Sequence, residues 1–239
     1  MKILVSVIAY NEEANIRTTL EDLRSHNCGF DTVVIDNGSH DRTAAVCQEL
    51  HVPVVTHCIN TGGSMGTVTS YFNYAYEYGY DCLCQFDGDG QHLATELPSI
   101  IGPIQRDEAD YVIGSRFISK VGFQSTALRR IGISSFSSLV SSIVGHKVTD
   151  VTSGFRAYSR KVIRFFGTQY RYEIYDTSQL LLLSHFAGAR IAEVPIRMRE
   201  RVYGKSEYGL RDAFTFPLKG ILSITGALLQ RQQIQVGRR

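Results

Sequence analysis

The sequence predicts an α/β protein: a mostly parallel sheet flanked by helices, built as one domain. Three observations carry that expectation. Apolar, β-branched runs alternate with longer stretches whose apolar residues fall at helical spacing, which is the rhythm of βαβ units. Several of those runs end in short polar loops, and in an open sheet of this kind such loops gather along one edge and line a ligand crevice. No Pro/Gly/Ser-rich linker divides the 239 residues.

Lys2–Tyr10 is a near-continuous β-branched run, the pattern of a strand buried on both faces. Asn11-Glu12-Glu13-Ala14-Asn15 then opens a helix over about 14–26, with Ile16, Leu20 and Leu23 along one stripe. Thr32–Ile35 is the second strand. It ends in Asp36-Asn37-Gly38-Ser39-His40-Asp41-Arg42-Thr43, and a helix follows to about Leu50. Val52–Thr56 is the third strand, and Asn60–Gly66 leads into a helix over 67–78. The fourth strand, Asp81–Phe86, is apolar and Cys-rich; Tyr111–Ile113 is a further one. Ile131–Val144 is amphipathic. Phe214–Leu229 is apolar but interrupted by Lys219 and bounded by Arg211 and Arg231.

The fourth strand runs into Asp87-Gly88-Asp89-Gly90-Gln91-His92. Two carboxylates two residues apart, on a backbone that glycines allow to bend tightly, can share one divalent cation through oxygen ligands. A hard cation held by few protein oxygens keeps positions for substrate phosphates, so the turn reads as a metal-diphosphate site. An ordinary polar turn is the other reading of the same residues. A calcium loop of the EF-hand type is excluded, because His92 stands where that loop needs Gly and Pro98 where it needs Glu. Asp36, at another strand end, suits accepting hydrogen bonds from a nucleobase or ribose, or capping the turn that follows it.

The five cysteines form no Cys-x-x-Cys pair and two lie inside a core strand, so buried thiols in a reducing cytoplasm are expected. No secretory leader is visible and no apolar run reaches the ~20 residues that span a bilayer. From Pro195 onward there are nine Lys/Arg against three acids, while the rest of the chain carries net −4. A basic tail points to an anionic partner. Phe214–Leu229 suits a helix lying in a membrane interface, or one packed on the domain, on a second copy of the chain or on a membrane subunit. The tail has no aromatic platforms arranged beside its charges, which argues against nucleic acid.

Three blocks together resemble the N-terminal motifs of family 2 glycosyltransferases: Ser6–Glu13, Val34–Thr43 and Phe86–His92. Gly114-Ser115-Arg116-Phe117, Asp150–Tyr158, Glu193–Ile196 and Arg201–Ser206 continue the likeness over about residues 3–210, nearest to dolichol- and polyprenyl-phosphate mannosyl and glucosyl synthases. The resemblance implies a GT-A fold over 1–210. Its Rossmann-like half, 1–115, would take nucleotide-sugar and metal; its second half, 116–210, would take the acceptor; 211–239 would be a basic amphipathic C-terminal segment. It further implies donor contacts from Ala9, Tyr10, Asn11, Glu12, Asp36, Gly62, Asp87, Gly88 and Arg116, and Mg2+ or Mn2+ on Asp87, Asp89 and Gln91. Arg116, Arg201 and Lys205 are left for phosphate charge on donor or acceptor. Arg129 and Arg130, ahead of the amphipathic stretch, face lipid phosphate or form a solvated face.

Asp89 and Asp150 are the expected catalytic carboxylates. Asp150 is the candidate general base, with a partner for Arg156 or a turn cap as its alternative roles. His92 is the histidine singled out beside the metal turn. The chain departs from the family pattern at Ala9 (usually Pro), at Asn37 (usually Asp) and in a third loop without Lys or Arg. The implied reaction is metal-dependent, inverting transfer of one sugar from a UDP-, GDP- or dTDP-sugar to a lipid-phosphate or lipid-linked glycan acceptor in cell-envelope synthesis, at the cytoplasmic face. The chain has no Trp and so lacks the Gln-x-x-Arg-Trp motif of processive synthases. Two rival readings are a nucleotide-sugar-binding protein with little turnover and a sugar-phosphate nucleotidyltransferase. The second would want a Gly-rich, basic loop after the first strand, where Tyr10-Asn11-Glu12-Glu13 stands.

Overall fold

The computed structural model describes residues 1–61, 64–119, 127–169, 176–200, 220–231 and 234. Seven strands form one sheet: β1 Ile3–Ala9, β2 Phe30–Asp36, β3 Val54–Thr56, β4 Cys82–Asp87, β5 Tyr111–Ser115, β6 Arg156–Ser159 and β7 Ile191–Pro195. Their order is β3-β2-β1-β4-β6-β5-β7. The β1–β2, β1–β4, β2–β3 and β5–β7 pairs are parallel, whereas β6 runs antiparallel to both β4 and β5. The mostly parallel expectation therefore holds, with one reversed strand lodged at the centre. Because β6 pairs with β4, the second half of the chain is knitted into the sheet of the first.

Alternation along the strands sends side chains into two cores. Leu4 and Ile8 of β1 join Val33, Ile35 and Leu83 beneath helices α3 (Val68–Glu77), α5 (Ala127–Val144), α6 (Arg160–Arg164) and α7 (Thr177–Phe186). Ile3, Val5 and Val7 pack on the other face with Cys82, Cys84 and Phe86, beneath α1 (Ile16–Ser25), α2 (Thr43–Glu49) and α4 (Leu97–Gln105). Both faces are covered, which is why these strands read as continuous apolar runs. Cys82 and Cys84 are free, fully buried thiols, and burial pushes Cys82 up to about 12, so they are packing groups. Asp176, a carboxylate on the approach to α7, accepts hydrogen bonds from Ser178 N and Gln179 N as that helix's N-cap.

The C-terminal segment is helical over 220–231. Ser223, Ile224 and Ala227 are buried on the domain, and Gly220 lets the helix approach Phe136 of α5, where a Cβ would come within 2.6 Å of the ring. Ile221, Leu222, Leu228 and Leu229 lie along the opposite face and are exposed, Leu229 to 75%. The segment thus packs on the domain with one face and presents an apolar stripe with the other. Among the described residues no helix is long and apolar enough to cross a membrane.

Candidate active site

Register places the crevice. Ala9 pairs with Asp36 across β1–β2, and Ile8 pairs with Asp87 across β1–β4. The two acids therefore end strands on either side of β1, roughly 10 Å apart by two interstrand spacings.

The turn after β4 is held from four sides. Gly88 N donates to Ile8 O at 2.8 Å, and Gly88 O accepts from Thr19 Oγ1 of α1 at 3.2 Å. A Cβ on Gly88 would meet Ile8 O at 2.9 Å and the Ala9 Cβ at 3.3 Å, so glycine at 88 is matched to a small residue at 9. Asp89 Oδ1 accepts from Gln91 N at 3.0 Å, with Gly90 in the left-handed region (φ 77°). Gln91 O accepts from Arg199 N at 2.9 Å, and His92 bridges to Met198, so the segment that follows β7 braces the turn.

His92 sits directly behind Asp87. Its ring is buried, stacked on Phe155 at 4.6 Å and edge-on to Phe86. Nδ1 accepts from Asp87 N at 3.0 Å, which places the proton of the neutral ring on Nε2, 3.5 Å from Asp87 Oδ2. Burial, with Arg116 opposing and Asp89 favouring the charged form, pushes the imidazole down to about 4, so it is neutral at physiological pH. A Cβ on Gly154 would lie 2.8 Å from the same Asp87 Oδ2, so the 153–155 turn closes on that carboxylate. Asp87 remains 31% exposed at its side chain. The donor set is two carboxylates and an amide, all oxygen ligands; among the described residues no cluster of three or more His, Cys, Asp or Glu forms a closed site. Such a set fits a hard divalent cation that keeps positions for substrate oxygens.

Asp36 does two things. Oδ1 accepts from Ser39 N at 3.1 Å, capping the turn, while Oδ2 is buried with no hydrogen-bond partner. Asn37 organises the third loop. Its Oδ1 accepts from Thr61 N and Thr61 Oγ1 and lies 3.0 Å from His57 Nδ1, while Nδ2 donates to Asn60 Oδ1 at 3.2 Å. An aspartate could not make that last donation, so Asn37 holds a loop that has no cation of its own. The first loop is tied to the second: Asn11 N donates to Ser39 Oγ, His40 N to Asn11 Oδ1, and Glu12 N to Thr43 Oγ1. Tyr10 is half-buried beside them.

Arg116 and Asp150, the candidate base, form one buried unit. Arg116 Nε and Nη2 donate to the two Asp150 oxygens at 2.7 Å each, and Nη2 also reaches Thr152 Oγ1 at 2.9 Å. Asp150 is fully buried. A carboxylate with both oxygens on a guanidinium and no exposure is poorly placed to take a proton from a substrate. Arg156, the partner in the alternative reading of Asp150, is buried elsewhere, donating to Ser153 O, Val151 O and Thr177 O.

Beside this pair opens a cavity of about 770 Å³, whose lining includes Phe117, Arg130, Ser134, Ser138, Lys147 and Thr149. Arg130 is part of that lining; the Arg129 side chain lies outside the described residues, as do Gly62, Arg201 and Lys205. The serine face of α5 was missed. Its signal was present as Ser134, Ser137, Ser138, Ser141 and Ser142, at helical spacing on one side.

This fold, with a two-carboxylate turn at the end of β4, is that of a GT-A-like glycosyltransferase. The chain belongs to glycosyl transferase family 2, whose model matches residues 4–166. It is 32% identical over 215 residues to a UDP-N-acetylglucosamine–dolichyl-phosphate N-acetylglucosaminyltransferase of Methanococcus voltae, covering 82% of this chain and 84% of that one. It is 32% identical over 221 residues to the undecaprenyl-phosphate mannosyltransferase of Micrococcus luteus, with 87% of each covered. Polyprenol monophosphomannose synthase of Mycolicibacterium smegmatis is 29% identical over 217 residues, covering 85% of this chain and 80% of that one. Among solved structures, glucosyl-3-phosphoglycerate synthase of Mycobacterium tuberculosis, crystallised with Mn2+, UDP and phosphoglyceric acid, superposes with TM-score 0.70. It covers 95% of this chain and 78% of its own at 18% identity, a likeness of fold.

Proposed function

We propose that the chain moves one sugar, with inversion, from a nucleotide-sugar to a polyprenyl phosphate. The observation that carries this is a run of contacts between two places. Gly154 abuts Asp87, and Thr152, two residues before it, accepts from Arg116. The Arg116–Asp150 pair is flanked in sequence by Phe117 and Thr149, which line the cationic, serine-lined cavity. On this reading Asp36 Oδ2 takes a donor from the nucleobase or ribose, and the first loop, Ala9–Glu12 with Gly88, shapes the donor's seat. Asp87, Asp89 and Gln91 would hold Mg2+ or Mn2+, which when bound offsets the charge that grows on the leaving nucleoside diphosphate. His92, whose Nδ1 accepts from Asp87 N, and the Gly154 turn close on Asp87 from behind. Arg116, kept in orientation by Asp150, adds positive charge toward the same phosphates.

The acceptor phosphate would lie in the cavity against Arg130, Lys147 and the serine hydroxyls, with Arg129, Arg201 and Lys205 as further cations. A phosphate is already an anionic nucleophile, so no general base is required, in keeping with the sequestered Asp150. The relatives named for dolichyl- and undecaprenyl-phosphate transfer support this acceptor class. The test is transfer itself: with polyprenyl phosphate in detergent, a nucleotide-sugar and Mn2+, the lipid should gain the mass of one hexose or N-acetylhexosamine.

A lipid-borne acceptor brings the enzyme to a membrane. The exposed Ile221, Leu222, Leu228 and Leu229 stripe, together with the basic tail, suits the interface of an anionic bilayer at the inner face of the cell membrane. Leu222→Asp combined with Leu229→Asp should weaken flotation with phosphatidylglycerol vesicles by about 100-fold or more, since burying each leucine is worth about 1.5–3 kcal/mol. Unchanged flotation would exclude this face as the anchor and leave it to a partner subunit or a second copy.

A further inference from the structure

The segment 148–151 has an unusual hydrogen-bond pattern: its four successive backbone N–H groups all end on side chains. Val148 N donates to Ser141 Oγ at 2.9 Å, and Val151 N to Ser137 Oγ at 3.3 Å, both on α5. The two between them go to one group on the other side. Glu193 Oε1 accepts from Thr149 N at 2.9 Å and Asp150 N at 2.8 Å, while Oε2 accepts from Thr149 N and Thr149 Oγ1, both at 2.9 Å. Glu193 stands on β7, in register with Ile113 of β5, one strand from the end of β5 that delivers Arg116. A single carboxylate on an edge strand therefore fixes the turn whose next side chain, Asp150, grips the guanidinium.

We propose that Glu193 is a positioning residue: it acts through the 149–150 turn and Asp150 to orient Arg116 between the metal turn and the acceptor cavity. The catalytic consequence rests on the reading of Arg116 as facing substrate phosphate. Nothing in Glu193's own surroundings requires it to touch a substrate; its oxygens are spent on Thr149 and Asp150. Two features point to geometry rather than charge. Oε1 alone accepts from both backbone N–H groups, and glutamine keeps that oxygen. In the place of Oε2 the amide nitrogen can donate to Thr149 Oγ1, whose hydroxyl can turn to Ser115 Oγ. Aspartate keeps the charge but is one methylene short.

The experiment combines kinetics with the Arg116 Nε–H resonance in 15N spectra, assigned by its disappearance in Arg116→Lys. In the unaltered chain this proton should exchange slowly, being buried in a two-pronged ion pair. Glu193→Ala and Glu193→Asp should both broaden or lose it and lower kcat/KM by about 100-fold, the scale of an ångström-sized misplacement. Glu193→Gln should keep the signal and stay within about threefold of the unaltered chain. A Glu193→Asp variant that retains both signal and efficiency, or a Glu193→Gln variant that loses both, overturns the proposal, and this pair decides even where Glu193→Ala does not fold. Absence of any sugar transfer by the unaltered chain overturns the functional reading instead, while the resonance still reports whether Glu193 positions Arg116.

Discussion

Asp89→Ala is expected to lower turnover by about 10³-fold or more at saturating Mn2+, with the fold intact. Asp89 Oδ1 accepts a hydrogen bond from Gln91 N, and losing a bond of that kind costs about 1 kcal/mol of stability. Its catalytic loss is far larger, because removing one preorganised charge-stabilising group from such a site typically costs 10²–10³ and here the cation would be left with one carboxylate. The check is kcat at several Mn2+ concentrations beside a thermal melt. Turnover within about tenfold of the unaltered chain would remove Asp89 from the metal site.

Arg156→Met carries the largest expected effect on stability. The guanidinium is fully buried and satisfies three carbonyls, Ser153 O and Val151 O at 2.6 Å and Thr177 O at 2.8 Å, besides hydrogen bonding the Tyr111 hydroxyl. Tyr71 and Tyr158 both donate to Gln85 nearby, so the cation sits in a shell of ring and carbonyl dipoles. Methionine fills the volume but leaves those carbonyls unpaired, at about 1–3 kcal/mol each before relaxation. We expect a loss of about 4 kcal/mol and a fall in Tm of roughly 10 °C for a chain of this size. Because Ser153 and Gly154 form the wall beside Asp87, donor affinity should fall as well. A Tm within about 2 °C of the unaltered chain would contradict the account of this cluster.

The parts of this enzyme legible in sequence are those whose determinants are local. β1, β2 and β4 announce themselves because strands covered on both faces are continuous apolar runs, and the Asp87-Gly88-Asp89 turn because two carboxylates able to share a cation stand side by side. The reversed β6 was not legible: four residues, Arg156–Ser159, carry no mark of direction. Nor was α4, whose Leu97–Gln105 run contains Pro98 and Pro103 and reads as broken, yet packs as a buried helix. The site's second half failed for a different reason. Asp150 has Arg156 six residues away and Arg116 thirty-four residues away, and only the sheet, by inserting β6 between β4 and β5, decides which cation it meets. The serine face of α5 is visible as a pattern in sequence, but only the fold sets it on a cavity wall. Asn37, which looks like a lost acid in sequence, is in the fold the group that ties down the third loop.

The measurement that tests the central claim most directly is the configuration of the sugar–phosphate bond in the lipid product, with its metal requirement. A polyprenyl phosphate incubated with an α-linked nucleotide-sugar and Mn2+ should yield a β-linked glycosyl phosphate by NMR, and EDTA should abolish it. An α-linked product, or undiminished transfer without divalent cations, would contradict direct displacement at a site built on Asp87 and Asp89.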